Sequence, residues 1–279
     1  MTLNAAELKA LPAVIAEMNY LAAIPGRPRS YAYEPPAGEP RTNVRPDPHR
    51  VTVRNARAAN GISLDVTGFG LVEHETAVTD FSDEQQIREI YYPESEALIR
   101  KATGADRVFI FDHTLRRRVP GQEDYRDGPR QPATRVHVDH TDRSGPQRVR
   151  DLLPDEAEEL LKGRVQVINL WRPIRGPVLD SPLAFADART VPFRDYVPSD
   201  LVYPNRVGET YNVRFNPAHK WFYVPQLRTD EALLIKCYDS KDDGRARFVP
   251  HTAFTDPTAP ADAPPRESIE LRTFVFHRE

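Results

Sequence analysis

The chain has 279 residues, with hydrophobic residues at 39% and charged residues at 28%, the balance of a folded globular chain and not of a disordered one. Lys+Arg 38 against Asp+Glu 41 leaves a net charge of −3, which excludes the basic footprint of a nucleic-acid binder. A single cysteine, Cys237, excludes an intramolecular disulfide and any multi-cysteine zinc or iron–sulfur site, so a metal here must be held by His and carboxylates.

Along the chain, Leu3 to Ala23 reads as helix broken near Pro12. Its acidic residues are unlike a secretory signal, and no window reaches the roughly 18 consecutive apolar residues of a membrane span, so a cytoplasmic location without membrane contact is expected. Ser82 followed by Gln85 has capping-box spacing and starts a helix that Pro93 interrupts; a second helix runs from Pro93 to about Ala102, with Gly104 past its end. Strands are expected at Arg107–His113 and Thr134–His140. A helix follows from Pro154 to Lys162, with acids in its first turn and Gly163 at its end. Further strands are expected at Arg164–Pro173, Tyr211–Phe215, His219–Val224, Ala232–Tyr238, Phe248–Phe254 and Ser268–His277. Prolines outnumber glycines 27 to 13 and fall largely between these runs, as residues that cannot donate to a sheet ladder should. The pattern predicts one domain over 1–279, mainly β with flanking helices. Its core over 106–279 is a double-stranded β-helix of the jelly-roll or cupin-like kind, and 1–105 forms a helical elaboration and lid.

The richest stretch is Arg135-Val136-His137-Val138-Asp139-His140. Alternate side chains of a strand share a face, so His137 and Asp139 point together, away from Val136 and Val138. An imidazole and a carboxylate two residues apart, joined by a distant second His, make the 2-His-1-carboxylate facial set of non-haem iron oxygenases. Spacing alone also allows a salt-linked surface pair. His140-Thr141-Asp142 matches the pattern too, but runs into Arg143-Ser144-Gly145-Pro146, which reads as turn. For the third ligand, His251 among apolar neighbours competes with His219; His113 and His277 are weaker. Downstream of His251, Arg266 and Ser268 have strand spacing, and a guanidinium beside a hydroxyl suits a carboxylate such as the remote end of 2-oxoglutarate. Arg272, on the same face, is an alternative anchor.

With His137-x-Asp139, His251 and Arg266-x-Ser268 in this order, the chain resembles the Fe(II)/2-oxoglutarate-dependent dioxygenases. Asn169-Leu170-Trp171-Arg172-Pro173, His219-Lys220-Trp221-Phe222-Tyr223-Val224-Pro225, the block Asp230-Glu231-Ala232-Leu233-Leu234-Ile235-Lys236-Cys237-Tyr238-Asp239-Ser240, and Val249-Pro250-His251-Thr252-Ala253-Phe254 resemble one branch, the CmcJ/AsaB-like hydroxylase/desaturase family of natural-product clusters. The resemblance runs from about Val108 to the C-terminus; Gln226 departs from it, in a loop. It implies Fe(II) on His137, Asp139 and His251, 2-oxoglutarate on Arg266, O2 as co-reactant, and hydroxylation, desaturation or ring closure of a small molecule with release of succinate and CO2.

Asn169 and Trp171 share a strand face. If it is the inner one, Asn169 contacts the cosubstrate and Trp171 walls the pocket; otherwise both are structural. Arg172 is either a clamp for a substrate carboxylate or a partner for Asp187. Tyr223 is a further candidate for substrate contact, although packing is its simpler role, and Cys237 reads as a buried small hydrophobe. Loops near Arg116-Arg117-Arg118 and Gly121–Gln131 are candidates to close over substrate. Two other functions compete: a cupin-type metal oxygenase or isomerase that does not use 2-oxoglutarate, and a non-catalytic jelly-roll binding protein. The sequence leaves a homodimer open.

Overall fold

The first strand lies where a helix is expected. In the computed structural model, which describes residues 3–122, 124 and 129–278, a short helix α1 (Ala5–Ala10) is capped by Asn4, and β1 (Val14–Leu21) follows directly. Val14, Ala16, Met18 and Tyr20 are buried while Ile15 and Glu17 are exposed, a two-residue period that suits a half-buried strand and not a helix. After it come β2 (Arg29–Tyr31), β3 (Pro46–Asn55), β4 (Phe69–Glu73), α2 (Glu84–Gln86), α3 (Tyr92–Thr103), β5 (Arg107–Arg117), β6 (His137–Val138), α4 (Ser144–Leu152) and α5 (Ala157–Leu160). The remainder is strand: β7 (Arg164–Arg175), β8 (Leu183–Ala186), β9 (Tyr196–Val202), β10 (Val207–Val213), β11 (Trp221–Tyr223), β12 (Glu231–Asp239), β13 (His251–Ala253) and β14 (Glu267–His277).

The strands form two sheets. One is nine-stranded, in the order β1-β3-β11-β8-β13-β6-β10-β9-β2; the other is five-stranded, β4-β12-β7-β14-β5. The main core lies between them, with Phe185 of the first sheet stacked on Phe69 of the second at 5.1 Å between ring centroids. A smaller core covers the outer face of the five-stranded sheet. There Ile168, Leu170, Ile269 and Leu271 meet Ile87, Tyr91 and Ile99 of the α2–α3 region. This is the jelly-roll architecture expected from the pattern of short strands.

The expected helical elaboration over 1–105 is corrected in kind. β1 and β3 extend the nine-stranded sheet and β4 edges the five-stranded one, so this third builds both sheets. Arg57, just past β3, reaches Glu231 of β12 with a paired ion contact at 2.6 and 2.7 Å, buried on both sides, and ties one sheet to the other. Pro93 does not interrupt its helix either. α2 continues through one π-helical turn, Ile87–Tyr91, into α3, and that irregular turn lies directly before Pro93, whose ring cannot donate to the regular ladder. Asp83, and not Ser82, caps α2.

α4 replaces the turn expected at Arg143–Pro146. A Cβ on Gly145 would lie 2.7 Å from the Tyr238 ring, so the glycine serves close approach of helix to sheet, not a turn. The segment Gly121–Gln131, expected as a closing loop, includes 123 and 125–128, which lie outside the described residues.

Candidate metal centre

Four neighbouring strands of the nine-stranded sheet place one row of side chains on its inner face. Phe185 on β8 pairs with His251 on β13, His251 with His137 on β6, and His137 with Asn212 on β10. Directly opposed residues of a sheet share a face. The two imidazoles therefore meet, with ring centroids 4.5 Å apart, and Asp139, two residues beyond His137, joins them. One ligand atom from each of His137, Asp139 and His251 lies within 4.8 Å of the others.

Backbone carbonyls fix both histidine tautomers. His137 Nδ1 donates to the Arg135 carbonyl at 2.7 Å and His251 Nδ1 to the Val249 carbonyl at 3.0 Å, which leaves each Nε2 as a lone-pair donor for a metal. Burial, with His137 alongside, holds His251 below the ordinary histidine range and so neutral. Burial works against charge on Asp139, but the His137 contact and the Arg272 guanidinium hold its carboxyl well below the usual carboxylate range. Two imidazoles and one carboxylate converging on one point are a donor set that suits a divalent iron.

The facing sheet supports the carboxylate. Asn169 Nδ2 donates to Asp139 Oδ2 at 2.7 Å and to Glu270 at 3.2 Å; Arg272 Nε reaches the same Asp139 oxygen at 3.4 Å. Arg272 also donates to Asp112 at 3.0 Å and Glu270 at 3.1 Å. Burial opposes its charge, but these three carboxylates more than offset that and raise its pKa. With its donors committed, Arg272 is not the free anchor that strand spacing also allowed.

Arg266 is the opposite case. It is 3% exposed, and its one hydrogen bond runs from Nη1 to the Ser181 carbonyl at 2.6 Å. Ser181 holds a left-handed backbone, φ 50°, which costs about 1–2 kcal/mol outside glycine and aims that carbonyl at the guanidinium. Arg266 Nε and Ser268 Oγ are both buried without a partner. Burial, then the Arg116 cation, push the Arg266 pKa below its ordinary range. The guanidinium lies 5.3 Å from the ring centroid of Trp171, which is itself buried in the core between the sheets. An anion with two acceptor oxygens would pair both orphaned groups, and the remote carboxylate of 2-oxoglutarate is such an anion.

The other histidines weighed as ligands are held elsewhere. His219 bridges Asp195 (3.0 Å) and Tyr20 (3.2 Å), whose hydroxyl accepts from Trp221 at 2.7 Å, a closed structural chain. His113 bonds Tyr92, His277 bonds Gln166, and His140 is held neutral by burial, its pKa lowered to about 4. Arg172 lies on the outer face of β7, three residues from inward-facing Asn169. There it donates to His74 Nδ1 at 2.5 Å and to the His74 carbonyl at 2.7 Å, so it neither faces the metal cluster nor pairs with Asp187, which holds Arg189. Tyr223 is on the face opposite Phe222, packed edge-on against Phe254, away from the histidine row. The sequence reading missed Glu270, the second acceptor for Asn169 and Arg272, and Asn212 at the end of the row. A polar residue flanked by Tyr211 and Val213 within a strand was the available signal for the latter.

Comparison with known proteins agrees with this geometry. The family model described as oxidoreductase/YMDC permease-like domain matches residues 18–276, although no helix among the described residues is long and apolar enough to cross a membrane. The hydroxylase/desaturase efuI of Hormonema carpetanum is 37% identical over 257 residues, 84% of this chain and 86% of its own length. The Fe(II)/2-oxoglutarate-dependent dioxygenase nvfI of Aspergillus novofumigatus is 33% identical over 254 residues, 88% of this chain and 90% of its own. A solved structure of the iron and alpha-ketoglutarate-dependent endoperoxidase NvfI superposes with a TM-score of 0.86 at 30% identity, covering 97% of this chain and 100% of that one. With such likeness over nearly its whole length, the chain belongs to this family of Fe(II)/2-oxoglutarate-dependent hydroxylases and desaturases.

Proposed function

We propose that His137, Asp139 and His251 ligate the iron, that Arg266 with Ser268 binds the remote carboxylate of 2-oxoglutarate, and that the site oxidises a C–H bond of a small, natural-product-like molecule. The observation that carries the reading is the pairing of two features across the sheets. Three possible metal-donor atoms converge on one side, and on the other lie the buried Arg266 Nε and Ser268 Oγ, both without a partner. Bound together, iron and 2-oxoglutarate supply the oxidising power, with succinate and CO2 released as the substrate is hydroxylated, desaturated or ring-closed.

The chain's own residues orient and shield that chemistry. The Arg135 and Val249 carbonyls hold the imidazole rings in their metal-facing tautomers. Asn169 and Arg272 hold the Asp139 carboxylate in place, and Trp171 with Phe185 limits water on either side. In a cupin-type reading without 2-oxoglutarate, Arg266 would bind the substrate's own carboxylate; the likeness to 2-oxoglutarate-dependent relatives favours the first reading, and dependence of turnover on added 2-oxoglutarate separates the two.

The test is succinate release from 2-oxoglutarate, followed by mass spectrometry with and without Fe(II). His137→Ala and Asp139→Ala each lose the iron-dependent signal. Wild-type release from both variants would remove the ligand assignment.

A further inference from the structure

Asn212 is the one member of the histidine row with no assigned task. It is fully buried, at 0% exposure, and neither Nδ2 nor Oδ1 has a hydrogen-bond partner. An unpaired polar group in the interior costs about 1–3 kcal/mol, so two on one side chain are a large standing cost unless something else pairs them. Register puts that side chain on the inner face, directly opposite His137 and on the flank away from His251.

The cosubstrate side is the other flank. Arg266 bonds the Ser181 carbonyl just before β8, and β8 lies beyond β13 from β6. Asn212 instead stands on β10, across from Val197 of β9. Its direct ladder neighbours are therefore His137 on one side and Val197 on the other.

We infer that Asn212 is a substrate-recognition residue, and that it binds a neutral group carrying a donor and an acceptor side by side, as in a secondary amide or lactam. The amide of Asn212 offers one N–H edge and one carbonyl, and such a group satisfies both. A carboxylate, ketone or ester would satisfy Nδ2 but offers no donor to Oδ1. The favoured substrate therefore carries an uncharged amide-like handle near the carbon that reacts. This rests on the metal and cosubstrate assignment above.

The experiment uses the full chain loaded anaerobically with Fe(II) and 2-oxoglutarate, with δ-valerolactam as probe and δ-valerolactone, which lacks the donor, as control. Perturbation of the visible charge-transfer band by the lactam is expected at concentrations at least fivefold below those needed for the lactone. Asn212→Leu keeps the band formed by 2-oxoglutarate but treats the two probes alike. Its melting temperature without probe equals or exceeds that of the wild type, because two unpaired polar atoms have been removed. A lactam response unchanged in Asn212→Leu, or absent in the wild type, overturns the inference, as does a fall in melting temperature of several degrees, which would mean the amide is bonded within the fold. Failure of the wild type to form the band at all counts instead against the triad and Arg266, and the melting comparison still decides Asn212.

Discussion

Two arginines six residues apart, Arg266 just before β14 and Arg272 midway along it, have surroundings that differ in a way that separates structure from binding. Arg272 is ringed by Asp139, Glu270 and Asp112, and its charge is satisfied within the protein. Arg266, six residues earlier on the same inner face, has a single backbone carbonyl and no carboxylate partner. A buried cation left this way is costly in the free protein and is relieved when an anion arrives. Midway along the strand the guanidinium is thus satisfied and braces Asp139; just before the strand it is short of partners, as the proposed anchor for an anion requires.

The sharpest way to break this contrast is to remove what Arg272 holds. Asp139→Ala should abolish iron retention, measured as metal content after gel filtration, and with it turnover. Arg272→Met should come next, destabilising the fold by about 3–5 kcal/mol in denaturant unfolding, because Glu270 and Asp139 are left as uncompensated buried charges. Arg266→Ala should behave differently, leaving folding and iron binding intact while raising the Kd for 2-oxoglutarate by roughly 10- to 100-fold, the worth of a charge-assisted bond. Ser268→Ala, removing one neutral hydrogen bond, should raise that Kd by only about 2- to 10-fold. If Arg266→Ala unfolded the protein as Arg272→Met does, Arg266 would be structural after all.

Much of the centre was readable because strand periodicity is local. His137 and Asp139 share a face by the two-residue period alone, and Arg266 and Ser268 by the same rule. The choice between His251 and His219 was not readable from spacing, since both sit beside apolar residues. It turns on whether the ring nitrogens are already used, and His219 spends both on Asp195 and Tyr20. Arg172 was ambiguous for a similar reason: a three-residue offset from Asn169 puts it on the far face, but only the sheet order says what lies there. β1 was misread because Ala16, Met18 and Leu21 are good helix formers, and tertiary pairing with β3 overrode that propensity. In α4 the Gly145-Pro146 pair imitated a turn although the glycine answers to Tyr238, a residue far away in sequence.

The most direct test of the central claim is an anaerobic titration of the metal-free protein with Fe(II), with and without 2-oxoglutarate, followed by visible absorbance. The account predicts a weak charge-transfer band that needs both additions, and that Arg266→Ala forms only at much higher 2-oxoglutarate. Tight iron binding with no band on adding 2-oxoglutarate, or a band that Arg266→Ala forms at the wild-type concentration, would contradict it.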